Sequence, residues 1–142
     1  MMSTTVGRAV LSAALLVVTI LGAGLAHAQQ KTERGEYLAV RVAMCVQCHT
    51  PRDESGVLIT SRLFEGARVP VTSPFPATQW ATQAPALAGL AAVRRDDLVS
   101  ILTVGTRVDG RTPRAPMPPF RMTREDAEAI AEYLDSLPSP VR

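Results

Sequence analysis

The sequence predicts an all-α domain of three main helices joined by long loops, and three observations carry that expectation. Apolar residues recur at helical spacing in three separated stretches, and the proline-containing span between the first two shows neither helical nor strand periodicity. All eleven prolines fall between Pro51 and Pro140. Five of them (Pro51, Pro70, Pro74, Pro76 and Pro85) lie in an irregular span of about 40 residues, which a compact domain rarely tolerates. Six aromatics and three short helices also make a thin core. The irregular span is therefore expected to wrap something other than protein, a large apolar prosthetic group that supplies the missing interior.

The chain has 142 residues, 46% apolar and 20% charged, enough for one small domain. A net charge of +2 with this apolar content excludes a long disordered chain. Nucleic-acid binding is not expected, because fifteen basic residues face thirteen acidic ones and the aromatics are not interleaved with a basic stripe. Residues 1–28 read as a signal peptide, with Arg8, an apolar run from Ala9 to Ala26, and the small-x-small site Ala26-His27-Ala28. The expected location is periplasmic. The run is about 18 residues, just long enough to cross a bilayer, so an uncleaved membrane anchor is the competing reading. Cleavage after Ala28 leaves residues 29–142 as the single domain, with His49 its one histidine.

The elements follow in order. Thr32 reads as a cap, acids fill the first turn, and Tyr37, Val40 and Met44 share a face, giving a first helix that runs into Cys45. A second begins near Arg95, with Asp96 and Asp97 at its start, Leu98, Ile101 and Leu102 on one face, and Gly105 placed to end it. A third opens at Thr123, sets Glu125 and Asp126 where the helix dipole favours negative charge, and aligns Ala127, Ile130, Ala131, Leu134 and Leu137. Pro138 and Pro140 stop it.

The segment that carries chemistry is Cys45-Val46-Gln47-Cys48-His49. Two cysteines three apart at a helix end can each reach one vinyl group of the same porphyrin, and the next residue then offers its imidazole to the iron. The motif is the c-type haem attachment signature. A thioredoxin-like pair calls for an α/β context, and here a helical pattern precedes the cysteines. A structural zinc needs four ligands where this motif offers three. A plain disulfide, in an exported thiol protein without haem, leaves the adjoining histidine as coincidence.

With His49 on one face of the iron, the second axial ligand is sought among three methionines. Met44 sits beside the attachment site. Met122 precedes a helix start and can serve as a packing residue. Met117 lies in Arg114-Ala115-Pro116-Met117-Pro118-Pro119-Phe120, which the prolines hold out of helix and fix in direction. A weak iron–thioether bond needs such prior fixing. Met117 is thus the expected ligand, and Met122 its substitute. The cofactor-binding set is Cys45, Cys48, His49 and Met117, with His49 and Met117 the metal ligands of one covalent haem c.

These features together resemble a class I cytochrome c. Ala84-Pro85-Ala86-Leu87-Ala88-Gly89, the Gly105 to Gly110 turn, the Pro116-Met117-Pro118 loop and Tyr133-Leu134-Asp135-Ser136-Leu137-Pro138 are similar to bacterial periplasmic monohaem cytochromes c. The resemblance implies the class I cytochrome c fold around one haem, with redox proteins as partners: dehydrogenases, oxidases or other cytochromes. It also implies a crossing of the first and last helices, for which Gly35 and Tyr133 are suited, with Tyr37 nearby. A proline carbonyl is expected to accept the hydrogen bond of the histidine ring, with Pro85 and Pro51 competing. Trp80 either bonds a haem propionate or buries its ring.

Two occupied axial positions leave no site for oxygen or substrate, so the expected activity is single-electron transfer by a shuttle or a subunit of an oxidoreductase complex, not catalysis. An open sixth position would instead make a gas sensor or a haem enzyme. Five arginines between Arg107 and Arg124 against Asp109 suggest a basic docking rim. The alternative is a solvated surface whose charges pair with neighbouring acids.

Overall fold

The protein's computed structural model describes residues 24, 26–75 and 79–140. It divides into two units, Met1–Lys31 and Thr32–Arg142. In the first unit, residues 26–31 are helical, and residues 1–23 and 25 of the expected signal peptide lie outside the described residues. Among the described residues, no helix is long and apolar enough to cross a membrane.

The second unit carries the helical fold. Helix α1 covers residues 32–37 and passes into a π-turn, Leu38–Val42. Thr32 does not open it, because the preceding residues are helical too. The helix also stops short of the cysteines. Met44 adopts a left-handed backbone with φ of 55°, and a separate short helix, α2 (Val46–His49), begins beyond it. The break re-aims the chain so that the attachment segment starts its own turn.

Helix α3 spans Arg95–Val104 and ends at Gly105, whose φ of 88° suits a residue without Cβ. Its N–H bonds back to Ile101 and Ser100, closing the last turn. Helix α4 spans Arg124–Ser136, and the Thr123 hydroxyl caps it by accepting the Asp126 N–H at 3.1 Å. Of its apolar stripe, Ala127, Ile130, Ala131 and Leu134 are buried as the spacing predicts, whereas Leu137 falls at the C-cap and is half-buried. The cluster continues into Leu98 and Leu102 of α3 and Leu38 and Ala39 of the π-turn. Burying each large side chain contributes about 1.5–3 kcal/mol.

Helices α1 and α4 approach closely at Gly35. A Cβ there would overlap the Ala129 carbonyl and come within 2.8 Å of the Tyr133 Cβ, so only glycine permits the contact. Tyr133 then sets its ring edge-on against Phe64, with centroids 6.0 Å apart. Tyr37 stays 59% exposed and takes no part.

The irregular span has more order than its composition suggests. It holds a 3-10 turn, Thr60–Arg62, and a second, Ala88–Leu90. Between them, a two-residue strand β1 (Ala67–Arg68) pairs antiparallel with β2 (Gln83–Ala84), with Ala67 opposite Ala84. So short a ladder has no periodicity to read, yet it carries residues 83–85 back toward α2.

Candidate haem-binding site

A cavity of about 510 Å³ lies in the second unit, and Cys45, Cys48, His49 and Met117 all line it. The first three come from one wall with Met44, and Met117 comes from the proline loop with Pro116 and Pro118. Val69, Leu87, Val93, Leu98, Ile101 and Phe120 make the lining largely apolar. The span of prolines therefore encloses a site, as the thin core suggests.

His49 is fixed on both of its ends. Its ring Nδ1 lies 2.9 Å from the Pro85 carbonyl, which can only accept, so Nδ1 carries the proton and Nε2 keeps its lone pair. Burial holds His49 below the usual imidazole range, opposed by that hydrogen bond, and the ring stays neutral. The competition between Pro51 and Pro85 is thus decided by the β1–β2 ladder, which presents Pro85 to a histidine 36 residues away. Behind the ring, the His49 carbonyl accepts the Gly66 N–H at 2.9 Å, and Thr50, wholly buried, accepts the Phe64 N–H at 3.0 Å.

Cys45 and Cys48 are not joined by a disulfide. Burial pushes the Cys45 thiol up to about 11, opposite to the lowered value that a reactive redox thiol requires. Among the described residues, no group of three His, Cys, Asp or Glu converges as a metal cage. A buried, raised thiol disfavours the redox thiol–disulfide reading of the same motif.

The proline loop is held more loosely. Ala115 accepts the Ala81 N–H at 2.7 Å and the Arg114 carbonyl accepts the Met117 N–H at 3.2 Å; the Ala115–Pro116 bond is cis. Met122 is absent from the cavity lining and packs against the core, its N–H bonded to the Leu102 carbonyl. Met44 belongs to the attachment wall. The Trp80 indole N–H donates to the Val71 carbonyl at 3.0 Å, and its ring is half-buried.

The arginines between 107 and 124 mostly find partners close by. Arg107 pairs with Asp97 at 2.8 Å, Arg111 with Asp109, and Arg124 with Glu128. The acids of α4 are met in turn by Arg34 and Arg95. The surface is therefore a set of local pairs, with exposed Arg114 at the cavity and no ion pair formed by it among the described residues. Sequence reasoning missed Thr50, Gly66 and the ladder. Asp97 was legible only as a helix-start acid, although it is buried and the apolar residues beside it point to an inward face.

A cytochrome c family model matches residues 32–138, most of the chain, and the chain belongs to the cytochrome c family. Family membership brings a covalent haem c with its iron and electron transfer as the activity, so the protein is an electron carrier. No curated protein matches the chain. The residues present fit the group. The thiols have attachment spacing at the cavity wall, the imidazole turns a lone pair away from its hydrogen bond, and apolar side chains surround the space.

Proposed function

We propose that this protein is a periplasmic single-electron carrier, with one haem c held covalently by Cys45 and Cys48 and its iron held axially by His49 and Met117. One observation carries the reading: these four residues, from segments 68 positions apart, line a single apolar cavity, with the His49 Nδ1 proton committed to Pro85. When bound, the haem supplies a one-electron iron couple.

The chain's own residues then have separate tasks. Pro85 orients the imidazole and fixes its tautomer, which raises its basicity toward a metal. Met117 offers a thioether, a soft donor that favours the reduced metal. Phe120, Leu98 and Ile101 exclude water, and a low dielectric disfavours added charge in the site. With both axial positions filled there is no place for a substrate, and partners are redox proteins such as dehydrogenases, oxidases or other cytochromes. Export rests on the pattern of residues 1–28.

The test is the visible spectrum of the reduced holoprotein before and after carbon monoxide. Sharp low-spin bands unchanged by the gas are expected. A shifted spectrum would show an open sixth position and move a ligand-binding haem protein to first place.

A further inference from the structure

The ion pair between Arg107 and Asp97 has no part in the roles above. Asp97 stands in the first turn of α3, and its side chain is only 10% exposed. It accepts Arg107 Nη2 at 2.8 Å through one oxygen and the Val108 N–H at 3.0 Å through the other. The turn it grips is closed by the Arg107 N–H on the Arg111 carbonyl and the Gly110 N–H on the Arg107 carbonyl, at 2.8 and 3.0 Å. The place of Arg107 is thus set from α3 and not from its own loop alone.

Arg107 lines the cavity, whereas Asp97 is not among the lining residues. The Arg107 side chain is 32% exposed, but its guanidinium Nε is buried and has no hydrogen-bond partner among the described residues. Arg111 lines the same cavity but differs in surroundings. Its side chain is 74% exposed and that of Asp109 47% exposed, so water and salt screen that pair.

Oxidation adds one positive charge to an iron held in the cavity. A fixed cation in the wall opposes that charge and an anion favours it, each more strongly the nearer it lies and the less water intervenes. Because Arg107 lines the cavity and Asp97 does not, the cation dominates. We propose that Arg107 is a potential-setting residue of this site, and that Asp97 positions it and partly offsets its charge.

The proposal rests on the haem reading above and is tested on the holoprotein by spectroelectrochemical titration. Arg107→Gln removes the cation and leaves the anion, so the ferrous-to-ferric ratio at fixed ambient potential falls by about tenfold, a midpoint lower by roughly 59 mV for one electron. Asp97→Asn leaves the cation and raises the ratio about threefold. Arg107→Lys, which keeps the charge, and Arg111→Gln, whose pair is screened, both stay within about twofold of wild type. Shifts of the same sign for Arg107→Gln and Asp97→Asn, or no shift in either, overturn the proposal. Should Arg107→Gln fail to fold, the sign for Asp97→Asn decides alone. A wild type that binds carbon monoxide defeats the closed-coordination reading without touching this test, since charge acts on the iron whatever its sixth ligand.

Discussion

The wall that carries Cys45, Cys48 and His49 is held from several directions, whereas the wall that carries Met117 hangs on few contacts. His49 is tied through its ring to Pro85 and through its carbonyl to Gly66, and the next residue, Thr50, anchors Phe64 from the interior. Met117 depends on one local hydrogen bond and on the attachment of Ala115 to Ala81, with the prolines supplying stiffness by restricting φ. The contrast teaches that this site is built by redundancy on one side and by covalent restriction on the other. An imidazole placed by redundant bonds tolerates loss of one of them. A thioether carried on a stiff loop rests, among the described residues, on that loop's few bonds.

The largest effect separates the walls outright. Replacing both Cys45 and Cys48 by serine removes the covalent hold, and acid–acetone extraction is expected to strip all haem from the variant and none from the wild type. Haem retained by the variant would break the assignment of that wall.

Next in size is Met117→Ala. The reduced variant is expected to bind carbon monoxide, with a clear shift of the visible bands, while Met122→Ala binds none because Met122 packs in the core. Carbon monoxide binding by Met122→Ala and not by Met117→Ala would exchange their roles.

Two smaller changes probe the supports of each wall. Thr50→Val keeps the volume but leaves the buried Phe64 N–H without an acceptor, at a cost of about 1–3 kcal/mol in denaturant unfolding. Low-spin bands should survive in it, since His49 keeps its bond to Pro85. Trp80→Phe loses only the bond to the Val71 carbonyl from a half-buried ring, so a loss of about 0.5–1 kcal/mol is expected. If Trp80→Phe proved the more costly, the bond from Trp80 to Val71 beside the Ala81–Ala115 tie would outweigh the one that Thr50 gives the attachment wall.

Much of this is legible in the sequence. Helices α3 and α4, their caps at Gly105 and Thr123, and the buried stripe of α4 follow from local rules that act within a few residues. The attachment motif is local in the same sense, because five consecutive residues hold both thiols and the imidazole. The glycine–tyrosine crossing was legible through family resemblance, and the Gly35 contact gives its steric reason. The break at Met44 was not legible. The helical pattern runs through it, and the left-handed turn that interrupts it satisfies distant packing and not local preference.

The helical ends, the irregular middle and the thiol–imidazole motif of residues 45–49 are written in the local sequence. It takes the folded chain to set the Pro85 carbonyl and not that of Pro51 on His49, to bring Met117 and not Met122 to the cavity, to tie the Trp80 indole to Val71, and to pair most of the arginines with acids. The physical reason is range. Caps, periodicity and attachment spacing are set by neighbours along the chain, whereas a two-residue ladder and a carbonyl 36 positions from its histidine exist only once the core has brought them together.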